Sequence, residues 1–379
     1  MKLTTVFLIF FLSLNPATVF AGSYPTAPKC GDPVMTSTGN FFYDHQDLSL
    51  PGIGMSLEFK RSYNSADALN SGSLGHGWTH NYNTDLVFDS ATTITVNYGS
   101  GAGVPFGSTD GVNFVPKKGV TEKLVKNTNG SYKLVFADQT KYNFDAKGNL
   151  ISQVDRYGNT TALTYTDGNL TKVTDPSGRY LTFEYLGQSV LSGPGRTTAS
   201  FLRKVTDSTS RSISFDYNGA GNLISYTDVR GKITKYKYDD SDYGFAFASG
   251  NQLIEITEPG ATKPIIKNVY GDYQWLDPYG GTVSSGADGS GGSTPVCSDP
   301  SGCGPAAGCC DSGGMTGGSG GGMGVVGFGF DKVPVNGKVV KQYDAHGNQW
   351  NYLYDTGNKR TTMTDNKGST LIHEYDEDL

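Results

Sequence analysis

A four-residue turn motif, Asp-x-x-Gly, recurs between aromatic segments from residue 142 onward and constrains the fold more than any other feature. Successive copies lie twenty or twenty-one residues apart in two places, from Asp155 to Asp175 and from Asp344 to Asp365. The aspartate accepts hydrogen bonds from its own turn, and the glycine allows the positive φ that reverses the chain. Each copy therefore predicts one hairpin. The copies begin at Asp145, Asp155, Asp175, Asp228, Asp277, Asp344 and Asp365.

The segments between these turns alternate aromatic or aliphatic with polar residues, as half-buried strands do. A two-stranded hairpin is marginal in water, so such units must stack to bury their aromatic faces. The same alternation predicts strands before residue 142, for example over Asn40-Phe41-Phe42-Tyr43 and Leu57-Glu58-Phe59-Lys60. We predict an all-β protein in which an N-terminal β domain precedes stacked antiparallel hairpins that form part of a curved spiral sheet.

The stretch from 280 to 327 interrupts the repeats. It has no aromatic residue and no Lys or Arg, and its charges are Asp288, Asp299 and Asp311. Such a composition cannot bury enough apolar surface to order itself. We interpret 280–327 as a flexible Gly/Ser/Cys-rich insertion, after which the repeats resume.

The first twenty-one residues have the features of a cleaved export signal. Lys2 is followed by an apolar run from Val6 to Leu14, and the exit carries small residues up to Ala21. The run is too short to cross a bilayer, which takes about 20 apolar residues. We expect an exported protein, whether secreted, periplasmic or at the cell surface, with no membrane span after signal removal.

The cysteines of the insertion are the first candidate site. In an exported protein, cysteines at this spacing favour disulfides over zinc, whose ligands typically include C-x2-4-C pairs. Three pairings are open among the four. The residues are Cys297, Cys303, Cys309 and Cys310.

The three tryptophans, Trp78, Trp275 and Trp350, are candidates for stacking against a carbohydrate or peptide, with core packing as the alternative. His76 and His80 have helical metal-site spacing, but the adjacent glycines argue against a helix. There is no Walker loop and no Gly-x-Ser-x-Gly in a strand-turn-helix setting. We therefore expect a protein without enzymatic activity, metal or cofactor. The net charge of −6 is too mild to suggest a nucleic-acid partner.

Several motifs resemble the RHS/YD-repeat family in the family's order. They include Gly31-Asp32-Pro33-Val34, Arg61-Ser62-Tyr63-Asn64-Ser65 and Gly75-His76-Gly77-Trp78, followed later by Tyr343-Asp344-Ala345-His346-Gly347-Asn348. The resemblance implies a β-shell that encloses a toxic domain or displays a tip domain. It divides the chain into a signal (1–21), an N-terminal RHS-type domain (22–140), repeats (141–279), the insertion (280–327) and further, apparently truncated repeats (328–379).

The resemblance leads to three functional hypotheses. The first is an exported, non-catalytic scaffold that forms part of a shell, with a toxin, a tip domain or other shell segments as partners. The second is a cell-surface module that binds carbohydrate or a protein. The third is the N-terminal fragment of a polymorphic toxin carrier.

Overall fold

A computed structural model describes residues 29–30, 34–116, 119–190, 199–239, 251–276 and 331–375, with the backbone alone at 29–30, 188–190, 199, 272–276 and 331–336. These residues form strands and turns, and their one helical element is a single 3-10 turn, Ser65–Asp67. The predicted all-β fold is confirmed. Asp277 and the insertion lie outside the described residues.

The first part of the chain builds a five-stranded sheet and a two-stranded ribbon, and we call residues 34–82 the N-terminal module. Strands β1, β2, β3, β4 and β7 pair in that order, while β5 pairs with β6. Their bounds are Lys29–Cys30 (β1), Val34–Met35 (β2), Asn40–Leu50 (β3), Leu57–Asn64 (β4), Ser71–Gly72 (β5), Gly75–His76 (β6) and Trp78–His80 (β7).

The remaining strands, β8 to β28, form one antiparallel ladder that we call the repeat sheet. The strands up to β18 are Asp85–Phe88 (β8), Thr93–Asn97 (β9), Gly103–Gly107 (β10), Asn113–Pro116 (β11), Lys123–Lys126 (β12), Tyr132–Val135 (β13), Lys141–Phe144 (β14), Leu150–Val154 (β15), Thr160–Thr166 (β16), Asn169–Thr174 (β17) and Tyr180–Val190 (β18). The strands after it are Ala199–Asp207 (β19), Ser212–Tyr217 (β20), Leu223–Thr227 (β21), Ile233–Tyr238 (β22), Leu253–Thr257 (β23), Ile266–Leu276 (β24), Asp331–Asp344 (β25), Gln349–Asp355 (β26), Arg360–Asp365 (β27) and Thr370–Glu374 (β28).

Each strand of the repeat sheet pairs with the next one along the chain, with no break at residue 140. Within the described residues β28 pairs with β27 alone, so the sheet is open. The sheet bonds back to itself where the Leu86 N–H donates to the Gly148 carbonyl at 2.9 Å and Asp85 faces Asn149 in an isolated bridge. Strands β8 to β14 therefore curl round, so that β8 meets the turn that follows β14.

The Asp-x-x-Gly turns have the predicted geometry. Asp145 Oδ1 accepts the backbone N–H groups of Lys147 and Asn149 at 2.8 and 2.9 Å, and Gly148 has a φ of +91°. One further turn was missed because it lacks the glycine: Asp207 caps it in the same way, and Ser210 takes the positive φ. The aspartate alone therefore identifies that turn in the sequence.

A β-bulge precedes a tyrosine in several repeat strands. The pairing register shifts just before Tyr165, Tyr185, Tyr217, Tyr238 and Tyr270. Bulges bend a strand and increase its right-handed twist. Their recurrence at one position of the repeat curves the sheet.

The buried side chains form a single cluster that includes residues of the N-terminal module and of the repeat sheet. Phe59 of β4 lies 5.9 Å from the ring of Phe183 and 6.0 Å from that of Phe215, measured between centroids. Trp78 of β7 lies 5.1 Å from Tyr236 in β22. The module is therefore packed onto one face of the repeat sheet, and the two share a core.

Candidate assembly site

The candidate functional site is the contact between the N-terminal module and the repeat sheet. Its centre is Arg61 on β4, which is completely buried. Phe59, Arg61 and Tyr63 alternate along that strand, so all three point to the same face, toward the repeat sheet. A buried arginine at this position needs an acidic partner and hydrogen-bond acceptors to offset its desolvation.

Asp47 supplies the negative charge. It is the extra residue of a bulge in β3, since Gln46 pairs with Lys60 and Leu48 with Phe59 while Asp47 has no opposite residue. Its carboxylate accepts two hydrogen bonds from the Arg61 guanidinium, one of them at 2.9 Å from Nη2, and both side chains are fully buried. His45 also contacts it, with 2.6 Å between Nδ1 and Oδ1. The bulge is thus the local device that aims the carboxylate inward.

The repeat sheet surrounds the other side of the guanidinium. Arg61 Nη1 donates to the Tyr236 hydroxyl at 3.0 Å, and its central carbon lies 4.2 Å from the centroid of the Tyr226 ring. Burial acts to lower the pKa of Arg61, but the charge and hydrogen bonds of Asp47 and Tyr236 together outweigh it, and the pKa is raised. Burial raises the pKa of Tyr236. The group at the centre of the contact is therefore a permanent cation held by one carboxylate and two tyrosines.

Trp78 links this centre to a second series of contacts. Its indole N–H donates to the Tyr238 hydroxyl at 2.8 Å, and that hydroxyl donates to the Leu223 carbonyl at 2.7 Å. The same bond, from a tyrosine to the carbonyl fifteen residues before it, recurs along the sheet. The further pairs are Tyr185 with Leu170, Tyr217 with Leu202, and Tyr354 with Val339.

The module also bonds directly to the backbone of the sheet. The Ser73 carbonyl accepts from Leu202 N–H at 2.8 Å, and the Gly39 carbonyl accepts from Val339 N–H at 2.9 Å. Near the end of the sheet, the Thr361 hydroxyl donates to the Thr36 carbonyl at 2.7 Å. These contacts reach from β19 to β27, so the module spans much of the repeat sheet.

The tryptophans predicted as stacking residues lie in different places. Trp78 is 2% exposed, so neither of its faces is open to a ligand. Trp350 is half-buried and packs against the core. For Trp275 only the backbone, in β24, is described, and Cys297, Cys303, Cys309 and Cys310 lie outside the described residues.

The two histidines with metal-site spacing do not form a metal site. His76 Nδ1 contacts the Ala68 carbonyl at 3.1 Å, whereas the His80 ring is buried beside Phe59 and Phe183. Across the part of the chain that the structure describes, no three His, Cys, Asp or Glu side chains come together as metal ligands would. Nor does that part contain a helix long and apolar enough to cross a membrane.

The Arg61 pair was not singled out from the sequence. One signal was available, because an arginine between Phe59 and Tyr63 on the inward face of an alternating strand requires a buried partner. The identity of that partner was not readable, since Asp47 reaches the core through a bulge that shifts the strand alternation by one residue.

Together these features define an all-β repeat scaffold with an N-terminal module seated on it. A family model described as a domain of unknown function (DUF6531) matches residues 31–106, and one described as RHS Repeat matches residues 144–180. The chain carries RHS/YD repeats, as its motifs predict.

Curated relatives match a part of the chain. It is 30% identical over 134 residues to the tRNA nuclease WapA of Bacillus subtilis and, equally, to the tRNA3(Ser)-specific nuclease WapA of Bacillus spizizenii. The match covers 35% of this chain and 6% of either relative.

Two solved structures are similar over more of the chain. The TcdB2-TccC3 crystal structure matches 65% of this chain and 18% of its own, at 12% identity and a TM-score of 0.28. The TcdB2-TccC3-TEV structure matches 86% of this chain and 14% of its own, with the same identity and TM-score.

Proposed function

We propose that this chain is a non-catalytic carrier scaffold, in which the N-terminal module braces the repeat sheet as part of a shell for another domain. The observation that carries the proposal is the fully buried Asp47–Arg61 pair, which is closed on one side by the module and on the other by Tyr226 and Tyr236. A charge pair of this kind needs both partners, because removing one leaves an uncompensated buried charge, which is strongly destabilising. It therefore ties the curvature of the sheet to the seating of the module.

The sequence adds two parts to this proposal. The N-terminal features of an export signal support secretion or display at the cell surface. The partial similarity to nucleases that act on tRNA supports a toxin carrier, with the toxic activity in a separate domain. A carbohydrate-binding role receives no such support, because Trp78 is buried.

Hydrogen exchange followed by mass spectrometry, on residues 22–379, tests the bracing. The Arg61→Met, Asp47→Leu double substitution replaces the ion pair with apolar groups of similar size and removes the link to Tyr236. We expect faster exchange in β20 to β22 in this variant. Arg230→Ala is the matched control, since Arg230 is an exposed turn residue paired with Asp228.

Unchanged exchange in β20 to β22 would contradict the bracing role. A second assay addresses catalysis: the purified protein is incubated with total tRNA, and the RNA is examined for cleavage. We expect intact tRNA. Cleavage that co-purifies with the protein and survives repeated chromatography would overturn the non-catalytic assignment.

A further inference from the structure

Three turns of the repeat sheet lie beneath the loop that joins β3 to β4. They are the turns 155–159, 175–179 and 207–211. Alternate turns of an antiparallel ladder fall on the same edge of the sheet, so these three are consecutive along one edge. The end of β3 and the loop after it, residues 51–56, cross these turns, and a Cβ at Gly54 would lie 2.8 Å from atoms of both Asp155 and Asn159.

Three turns of this type are closed by an asparagine four residues after the aspartate. The side-chain amide of Asn149 donates to Asp145 Oδ2 at 2.9 Å, and that of Asn348 donates to Asp344 Oδ2 at 2.7 Å. Asn159 makes the same bond to Asp155 at 2.7 Å. In these turns the side chain is used entirely inside the repeat.

Two turns on this edge carry arginine at that position instead. Arg179 Nε donates to Asp175 Oδ2 at 2.7 Å, and Arg211 Nε donates to Asp207 Oδ2 at 2.7 Å. Both aspartate side chains are fully buried. The Nε atom thus performs the role of the asparagine amide. In Arg179 the Nη2 atom also donates to Asp175 Oδ2, and Nη1 points away from the turn.

The remaining nitrogens reach the N-terminal module. Arg179 Nη1 donates to the Pro51 carbonyl at 2.6 Å and its Nη2 to the Leu50 carbonyl at 3.4 Å. Arg211 Nη2 donates to the Ser49 carbonyl at 3.2 Å. Two neighbouring turns therefore bind three consecutive carbonyls at the end of β3.

We propose that the residue four positions after the turn aspartate specifies whether a repeat turn binds the N-terminal module, and that arginine is the specifying residue. Asparagine closes the turn on itself. Arginine closes the turn and also binds a neighbouring backbone carbonyl, because its planar fork presents donors in fixed, separate directions. Resting on the proposed function, this assignment identifies Arg179 and Arg211 as the residues that fix the register between module and sheet.

The test is thermolysin cleavage of the folded protein, residues 22–379, with cleavage sites identified by mass spectrometry. In Arg179→Asn, Arg211→Asn the turns keep the internal bonds seen at Asn149 and Asn348 but lose the three carbonyl contacts. We expect cleavage within 51–56 to be at least about tenfold faster, equivalent to about 1.4 kcal/mol. Fragments from the repeat sheet should appear no faster than in the wild type.

Arg156→Asn, Arg230→Asn is the matched control, because it removes two arginines from turns on the same edge. Arg156 pairs with Tyr157 and Arg230 with Asp228. An equal rise in loop cleavage in the control would show a general charge effect and overturn the proposal, as would unchanged cleavage in the test variant.

A lysine variant separates fork geometry from charge. Arg179→Lys, Arg211→Lys keeps both charges, but one ammonium cannot replace the separate Nε and Nη donors. We expect the loop to be cleaved almost as fast as in the asparagine variant, and full protection by lysine would refute the specific role of arginine. Failure here leaves the bracing proposal intact, since that proposal is read from exchange in β20 to β22 after changes at Arg61 and Asp47.

Discussion

The N-terminal module and the repeat sheet are stabilised in opposite ways. A repeat turn is closed by bonds that span two to four residues, as between Asp344 and Asn348. The module is held by contacts between residues far apart in sequence, such as Arg61 with Tyr236. The stability of a repeat architecture is approximately the sum of contributions from its local units, so one weak turn is tolerated. A module that contacts many units at once has no such redundancy, and its substitutions should be the more costly.

The largest difference should come from Arg61. Its replacement by alanine leaves the Asp47 carboxylate buried without its cation, and breaking such a pair costs about 3–5 kcal/mol. Asp365→Ala removes a turn aspartate whose carboxylate accepts from the backbone N–H groups of Lys367 and Ser369 at the surface, and it should cost much less. Urea unfolding monitored by tryptophan fluorescence measures both. Equal losses would contradict the division between module and repeats.

Much of the fold could be predicted from sequence because its determinants are local. Asp145 and Gly148 mark a turn wherever they stand, and alternation marks β3 and β4. The assembly site could not be predicted, because its contacts join segments that sequence periodicity does not relate. Asp47 illustrates the reason: a bulge turns inward a residue that simple alternation assigns to the opposite face.

Two glycines of the Asp-x-x-Gly turn, one in contact with another strand and one free of such contact, allow a second comparison. Gly148 and Gly347 have φ values of +91° and +81°, so alanine is strained at either, by roughly 1–2 kcal/mol. A Cβ at Gly148 would also lie 2.4 Å from the Leu86 carbonyl oxygen, whereas nothing lies within 4 Å at Gly347. Gly148→Ala should therefore lower the melting temperature clearly more than Gly347→Ala. The same shift in both would show that the contact between β8 and this turn contributes nothing.

The tyrosines that bond to the carbonyl fifteen residues before them should give a smaller difference in unfolding free energy. Tyr238→Phe removes the acceptor of the Trp78 indole N–H and the donor to the Leu223 carbonyl, and a buried group left unpaired costs about 1–3 kcal/mol. Tyr185→Phe removes the equivalent bond to Leu170 in a repeat strand, where the hydroxyl has no such link to the module. We expect the greater loss of unfolding free energy at Tyr238. A greater loss at Tyr185 would place the stabilising role of the series in the repeats themselves.

The smallest expected effect is a dependence of the module's stability on pH. Burial lowers the pKa of His80 from 6.5 to about 3, and its Nδ1 has no hydrogen-bond partner. The unfolded chain binds a proton at this imidazole below pH 6.5 and the folded chain does not until about pH 3, so stability falls as the pH is lowered through that window.

The loss approaches about 1.4 kcal/mol for each pH unit well below 6.5. His80→Phe keeps a ring against Phe59 and Phe183 and should flatten the dependence of the urea midpoint between pH 6.5 and 5. His346→Phe, at a side chain that is 86% exposed, should leave it unchanged. If His80→Phe retained the full dependence, the acid sensitivity would belong to other groups.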